Sequence, residues 1–343
     1  MNSGSFSPGF PPDEGESELG NGWRALRRRI LTPNVSATSL DVRGFHKKSP
    51  QAQELLETVG RTFLDGYAYA VEARDVAAAE ARLEQVPTRF QGFAYEGAAM
   101  GYAMLDGLPL GGGRHVVDFL AGRAQRHVYM VYVGIGWAMA RLPRFRWPRG
   151  DVFDPLLRWL ILDGYGFHQA YFATRRYVHE HYREPAFPWP ADARGYADSA
   201  IDQGIGRALW FVGGTDPRRV TELIDRFPRK RHADLYGGVG LAAAYAGGGD
   251  SAELVLLRER AGEHRAQVAQ GAAFAAEARV RAELLVPHTE RAAQVLCGTS
   301  AVRAAELTQR LRPESPVDGE LPAYEVWRQR IAAEFVSLGG VTA

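Results

Sequence analysis

The chain has 343 residues, 46% of them hydrophobic and 24% charged, so it can bury a substantial core in one large domain or two closely packed ones. Its 41 basic and 40 acidic residues almost cancel, leaving a net charge of +1. Such a balance provides no overall field to hold a nucleic acid backbone or an anionic membrane surface, and we expect no nucleic acid partner.

The N-terminal segment, residues 1–20, is rich in Ser, Gly, Pro and acidic residues. A segment of this composition cannot bury enough apolar area to offset the entropy lost on ordering, so we predict that it is disordered. Structure is expected to begin near Trp23. The short arginine run from Arg27 to Arg29 is typical of a solvated helix face, with contact to a membrane or a partner as the alternative.

The cellular compartment can be judged from Cys297 and from the hydrophobic pattern. Cys297 is the only cysteine, which excludes an internal disulfide and agrees with a reducing compartment. Its apolar neighbours indicate a buried thiol rather than a nucleophile. The N-terminus lacks a signal-peptide pattern, and no stretch reaches the roughly 18 uninterrupted apolar residues of a membrane span. We therefore predict a cytoplasmic protein.

Helical periodicity begins at Gln51, where apolar residues recur at spacings of three and four as far as Leu64. This pattern predicts a helix followed by Gly66. Prolines would break any helix in residues 143–154 and 184–195, where we expect long loops. Alternating β-branched runs are scarce, so the chain is predicted to be all-α.

Internal repetition is the most informative feature of the sequence. Residues 75–107 match residues 216–248 at a constant offset of 141 residues. A fixed period of this kind indicates a repeat architecture, and further copies are expected between these two. The identical pairs are Asp75 and Asp216, Pro87 and Pro228, Tyr95 and Tyr236, Gly97 and Gly238, Ala103 and Ala244, and Gly107 and Gly248.

A helical glycine recurs in six copies, with steps of 37, 30, 40, 34 and 33 residues. The mean step, about 35 residues, is the length of a two-helix unit of the tetratricopeptide kind. We predict an α/α helical-repeat solenoid or ring over residues 21–310, with residues 311–343 forming a C-terminal helical segment packed on the repeat. The repeat glycines are Gly97, Gly134, Gly164, Gly204, Gly238 and Gly271.

Residue 168 breaks the rule of the repeat. A glycine inside a helix is less favourable than alanine by about 1 kcal/mol, so a recurrent one implies close approach of a neighbouring helix. Four residues after it, every copy has Gly or Ala except the third, which has His168. The imidazole either widens the solenoid locally or faces a cavity. We predict His168 and Asp163 as catalytic residues; a core histidine bonded to a backbone carbonyl is the alternative.

The column before the glycine is polar in four copies, and in a solenoid such positions stack into a ladder along one surface. Its carboxylates either face solvent in the concave groove or pair with nearby donors such as Arg207, because an unpaired carboxylate between packed helices is unfavourable. Ordinary solvated helix positions are the alternative. Aromatic residues are dense nearby, which suits a long apolar ligand and equally suits packing between repeats. The predicted substrate-binding residues are Tyr95, Glu96, Trp137, Tyr165, Asp202, Gln203, Arg207, Trp210 and Gln270.

Familiar catalytic and cofactor motifs are missing from the sequence. The glycines of residues 111–113 lack the lysine and spacing of a phosphate-binding loop. There is no His-Glu-x-x-His pattern and no Cys-rich metal spacing. We predict no metal and no cofactor.

Several of these motifs resemble the domain of unknown function 1702 family, and among its members the UnbL-type proteins of enediyne antibiotic gene clusters. They appear in the right order over about residues 23–300, which makes the resemblance specific. The segments that carry it are residues 93–100, 127–138, 163–168, 202–211, 236–248 and 269–275.

The resemblance implies a role in building the enediyne core. UnbL-type members belong to a small shared gene set with an iterative polyketide synthase and its thioesterase, an UnbV-type FG-GAP repeat protein and an UnbU-type integral membrane protein. These proteins are the implied partners, together with a polyene or polyketide intermediate, so that a cytoplasmic protein could associate with a membrane partner.

Two functions stay open from the sequence. The first is an accessory protein whose helical groove binds the polyene, as an enzyme or as a binding protein. The second is a non-catalytic scaffold that assembles the biosynthetic proteins. A deep closed apolar cavity with Asp163 or His168 in its wall would favour the first, and a shallow groove with exposed aromatic residues would favour the second.

Overall fold

The computed structural model describes residues 22, 34–108, 113–147, 153–189, 192 and 195–338. Within these ranges every regular element is helical and no β-strand occurs, so the all-α prediction is confirmed. The predicted disordered segment 1–20 and the expected start near Trp23 lie outside the described residues. So do parts of the two predicted loops.

The long helices are joined by short helices and 3₁₀ turns, and two π-helical turns lie at Arg175–His179 and Ala293–Cys297. The α-helices are α1 (Leu40–Arg43), α2 (Pro50–Glu72), α3 (Val76–Leu83), α4 (Thr88–Gly107), α5 (His115–Ala121), α6 (Val128–Met139), α7 (Trp159–Phe172), α8 (Ala197–Val212), α9 (Pro217–Ile224), α10 (His232–Ala246), α11 (Ser251–Arg260), α12 (Arg265–Arg281), α13 (Pro287–Ala292), α14 (Ala301–Arg310) and α15 (Ala323–Ser337).

The repeat glycines lie inside six of the long helices, α4, α6, α7, α8, α10 and α12. A Cβ atom at each glycine would overlap a backbone carbonyl of the long helix before it; Gly204, for example, meets the carbonyl of Asp163, and Gly238 that of Gln203. The long helices therefore pack against each other in chain order, backbone against backbone, from α2 to α12.

The two segments that match at an offset of 141 residues have the same local structure. Each starts with an aspartate N-cap: Asp75 accepts from the Ala78 amide at 2.8 Å and Asp216 from the Arg218 amide at 2.9 Å. A short helix follows in each, α3 or α9, and a proline then precedes the next long helix or its leading 3₁₀ turn. An N-cap depends only on the residues next to it, so the same aspartate starts the short helix in both segments.

Helix α2 differs from its sequence-based prediction, because it continues through Gly66 to Glu72. Gly66 is not an end signal: a Cβ there would overlap the carbonyl of Ala94 on α4, so the glycine serves the same close packing as the repeat glycines. At the other end of the chain, α15 packs on α12 through Trp327 and Phe274, whose ring centroids are 4.8 Å apart.

Candidate functional site

An apolar cavity lies among the side chains of α2, α4, α6, α7, α8 and α10. Its volume is about 860 Å³, including its open mouth. The wall is mainly aromatic and aliphatic, with His168, Glu96 and Arg207 among its few polar groups. We call this space the first cavity. Its aromatic wall includes Phe63, Phe93, Trp137, Phe167, Phe211 and Tyr245.

A second cavity, of about 500 Å³, adjoins the first. Arg207, Leu241 and Tyr245 line both spaces, so these side chains separate them. Asp163 lies in the wall of the second cavity, and Tyr324 from α15 closes it on another side. The helices thus surround two adjoining apolar cavities, and the charged side chain of Arg207 lines both.

Arg207 is the centre of a buried polar cluster. Its guanidinium bonds Asp163 closely and lies 3.8 Å from a carboxylate oxygen of Glu96. Gln203 donates to the other oxygen of Asp163 at 2.7 Å and to the Tyr324 hydroxyl at 3.1 Å. A buried charge is tolerated when it is paired and hydrogen-bonded, and Arg207 meets both conditions.

Glu96 is the group in this cluster whose protonation changes near neutral pH. Burial raises the pKa of Glu96 to about 7; Arg207 opposes the rise, and the negative charge of Asp163 adds to it. The nearby Trp137 lowers the pKa slightly. One arginine cannot fully compensate two buried carboxylates, so Glu96 holds a proton that it can exchange inside an apolar cavity.

His168 lies in the wall of the first cavity, edge-on to Trp137 at a centroid distance of 5.5 Å. Burial, together with the positive charge of Arg141, lowers the pKa of His168 to about 3, so the ring is neutral at physiological pH. Its buried Nδ1 has no hydrogen-bond partner within the described part of the chain.

Asp163 and His168 share α7 but point in different directions. Residues five apart in a helix are separated by about 140° around its axis, so they cannot share a face. His168 lines the first cavity and Asp163 the second. The two predicted catalytic residues therefore form no pair, and Glu96, rather than Asp163, lines the same cavity as His168.

Tyr95 and Trp210, both predicted to bind substrate, line neither cavity. The Tyr95 hydroxyl donates to Glu84 at 2.5 Å, and the ring stacks on His127 with centroids 3.8 Å apart. The Trp210 indole donates to the carbonyl of Gly247 at 2.9 Å. Both side chains hold neighbouring elements together.

Asp202 and Tyr165 lie on another side of the helices, in the wall of a smaller cavity of about 260 Å³. Asp202 accepts hydrogen bonds from Arg183 at 2.5 Å and from Arg231 at 2.5 to 3.1 Å. The two arginines compensate the buried negative charge of Asp202, and their hydrogen bonds join α8 to the segments before and after it.

Gln270 lies in a separate buried network, where it accepts a hydrogen bond from Arg328 at 3.3 Å. Arg328 also pairs with Asp234 at 2.8 Å and Glu325 at 2.9 Å. The predicted polar ladder is therefore divided in two. Glu96, Asp163 and Gln203 are connected through Arg207, and Gln270 belongs to the contact between α12 and α15.

A second column of the repeat lines both cavities; the sequence analysis predicted two of its members, Trp137 and Arg207, as binding residues but did not recognise the column. It lies three residues after the glycine, and its side chains line one or both cavities in all six copies. Arg207 is the charged exception in an otherwise apolar column. Alignment of the six copies is enough to find this column, because it is apolar in every copy except the one with Arg207. The column consists of Met100, Trp137, Phe167, Arg207, Leu241 and Phe274.

A family comparison now identifies the chain. The model for a protein family of unknown function, DUF1702, matches residues 22–335. The chain belongs to this family. Comparison with curated proteins and with solved structures gives no match. The family match extends past residue 300 and includes most of α15, which supplies Tyr324 to the second cavity.

A metal site and a reactive thiol each have structural requirements, which can be checked in the described part of the DUF1702 chain. In the ranges that the structure describes, no three His, Cys, Asp or Glu side chains are grouped to hold a metal ion. Cys297 is buried, its thiol donates to the Ala269 carbonyl at 3.3 Å, and burial raises its pKa. No described helix is both long and apolar enough for a membrane crossing.

Proposed function

We propose that this protein is an accessory protein of enediyne core biosynthesis that binds the linear polyene made by the enediyne polyketide synthase. The pathway rests on the resemblance of its motifs to UnbL-type proteins, which agrees with its membership of the DUF1702 family. The observation that carries the binding function is the aromatic-lined first cavity inside the helices.

The shape and chemistry of this cavity suit an unsaturated chain. A conjugated polyene is flat, apolar and polarisable, and aromatic rings bind such a chain on their faces and edges. Trp137 packs between Phe63 and Phe167, with centroid distances of 4.4 and 5.1 Å, and forms a continuous aromatic wall. Burial would also keep a reactive polyene away from water and oxygen.

We further propose that the fold is a solenoid of tandem two-helix units, wound so tightly that its inner surface closes around the two cavities. The recurrent glycine contacts and the lining column support this arrangement. An open scaffold groove is less well supported, because the aromatic residues that would be exposed in it are buried: Trp137 is 8% and Trp210 0% exposed.

Glu96 gives the bound chain a possible chemical partner. Because its pKa is about 7, it can donate or accept a proton at physiological pH, and water is largely excluded around it. Arg207 and Asp163 would hold this group in place and compensate its charge. If the protein is an enzyme, we infer that Glu96, rather than His168, transfers the proton.

Binding can be tested with a synthetic linear all-trans polyene hydrocarbon, followed by quenching of tryptophan fluorescence. We expect saturable binding to the wild type and at least about tenfold weaker binding to Leu241→Trp, since Leu241 lines both cavities and a larger ring would fill them. The matched control is Leu285→Trp on the surface. No binding to the wild type, or equal binding to a folded Leu241→Trp variant, would contradict the proposal.

The pathway can be tested in an enediyne-producing strain from which the gene has been deleted. We expect the deletion to stop enediyne formation and a plasmid copy to restore it. The variants Asp163→Asn and His168→Ala test whether these two predicted site residues are needed for enediyne formation or only for folding. Enediyne output is compared at the wild-type level of soluble protein. His168→Ala introduces the small residue of the other copies, so stability should change by at most about 1 kcal/mol. Normal output from the deletion strain excludes the pathway, and normal output from both variants removes these two residues from the site.

A further inference from the structure

Arg141 is an exposed residue that lines the first cavity and so marks its mouth, and Arg43 lies beside the cavity wall at Phe172. Neither arginine pairs with a carboxylate among the described residues. Arg141 follows the end of α6. Arg43 ends α1, and its guanidinium carbon lies 5.2 Å from the centroid of Phe172, which also lines the cavity. The Nε of Arg43 is buried and has no hydrogen-bond partner within the described ranges.

Glu57, an acidic residue of the neighbouring helix, is already engaged. Glu57 on α2 accepts from the Leu40 amide and from the Gln53 amide group, each at 3.0 Å. It also lies 3.8 Å from Arg61. Within the described ranges no carboxylate forms an ion pair with Arg141 or Arg43, whereas Arg207, elsewhere in the cavity wall, is paired with Asp163 and lies near Glu96.

His168 adds a directional group between the mouth and the apolar interior. It is 8% exposed, and its Nδ1 is buried without a hydrogen-bond partner in the described structure. A buried polar atom of this kind is costly unless a ligand or water satisfies it. With the ring proton on Nδ1, the imidazole can donate a hydrogen bond to an oxygen held near Arg141.

We propose that the first cavity binds an amphipathic ligand, a linear unsaturated chain with an anionic head group, and that Arg141, Arg43 and His168 hold this head group at the mouth. The proposal rests on the proposed function, since the same cavity holds the chain. A carboxylate and a phosphate both fit this chemistry. The natural source is therefore either a free polyene acid or a polyene thioester on a phosphopantetheine arm.

The test uses a fluorescent conjugated probe, cis-parinaric acid, and its uncharged methyl ester. We expect the wild type to bind the acid about tenfold more tightly than the ester, as charge-assisted hydrogen bonds to the carboxylate would provide. Arg141→Gln and the double variant Arg43→Gln/Arg141→Gln should lose this preference and keep the affinity for the ester. Arg330→Gln, an exposed arginine on α15, is the matched control.

The outcomes separate the head-group site from the chain-binding cavity. If acid and ester bind equally well, or if the variants keep the preference for the acid, the head-group inference is wrong and the cavity proposal survives. If neither probe binds, the cavity proposal fails as well. Retained ester binding by the variants shows that they are folded.

The parinaroyl thioester of phosphopantetheine distinguishes the two natural sources of the ligand. If the wild type binds this thioester more tightly than the acid, and the arginines are needed for it, the ligand is the carrier-bound form. If the thioester binds more weakly than the acid, the ligand is the free acid.

Discussion

Arg207 is the only charged residue in the repeat column that lies three positions after the glycine. Its guanidinium lies between Asp163 and Glu96, and a centroid distance of 5.1 Å places it over the ring of Phe167. Because two carboxylates share one cation in a dry interior, the cluster is neutral only when one of them is protonated. Burial and the negative charge of Asp163 raise the pKa of Glu96, so Glu96 takes up a proton more readily than an exposed glutamate does.

Replacing Glu96 by glutamine should remove a pH dependence of folding stability. Between about pH 4.5 and pH 7 the folded chain keeps a proton on Glu96 that the unfolded chain has lost. The contribution of Glu96 to the free energy of unfolding therefore falls as the pH rises through this window, by roughly 3 kcal/mol in all. In urea unfolding, Glu96→Gln should match the wild type at about pH 5 and exceed its stability at about pH 8.

An exposed glutamate provides the control for this experiment. Glu320→Gln should follow the wild type at both pH values, since Glu320 is exposed in the same chain. The difference between Glu96→Gln and the wild type isolates one group from the other titrating residues. An equal pH slope in both proteins would show that Glu96 is already ionised in the folded state.

At the scale of helices, packing depends on backbone contacts that side chains would prevent. Each repeat glycine meets a carbonyl of the preceding long helix, and a second set that includes Gly136 and Gly166 meets a carbonyl of the following one. A long helix that carries both sets of glycines can approach the preceding and the following helix closely, because these glycines have no Cβ atoms. The side chains that do not enter these contacts are directed toward the cavities or toward the outer helices.

Two adjacent glycines of α10 test this packing. A Cβ on Gly238 would overlap the carbonyl of Gln203, whereas at Gly237 the nearest atom is the Nη2 of Arg328, 3.2 Å away at the end of a side chain. We expect Gly238→Ala to lower the free energy of unfolding by roughly 1–3 kcal/mol despite the better helix propensity of alanine. Gly237→Ala should stay within about 1 kcal/mol of the wild type. Chemical denaturation measures both, and equal effects would contradict the close-packing account.

At the scale of the whole molecule, we expect the two ends of the chain to contribute differently to thermal stability. Residues 1–20 have little apolar surface to bury, so their deletion should leave the melting temperature nearly unchanged. Deletion of residues 311–343 removes α15, whose buried side chains include Tyr324, Trp327 and Phe335. Each buried side chain of this size contributes about 2 kcal/mol, so this truncation should lower the melting temperature strongly or prevent folding. A large drop after the N-terminal deletion would show that the segment docks on the helices.

The sequence by itself determined the features that depend on neighbouring residues. The all-α fold, the aspartate caps at Asp75 and Asp216, and the glycines within helices follow from helical spacing and capping chemistry, which act over a few residues. The end of α2 was missed, because the sequence cannot distinguish a glycine that ends a helix, as expected for Gly66, from one that meets a neighbouring backbone.

Only the tertiary structure decided which side chains meet. Glu96 joins Asp163 through Arg207, and Tyr324 reaches the same cluster from α15, because the packing of the helices brings together residues that are far apart in the chain. Gln270, in the same sequence column as Glu96, is directed to a different network by its contact with α15. Burial then sets the chemistry: the same carboxyl group that would ionise freely in water has a pKa of about 7 at position 96, and no local pattern encodes that environment.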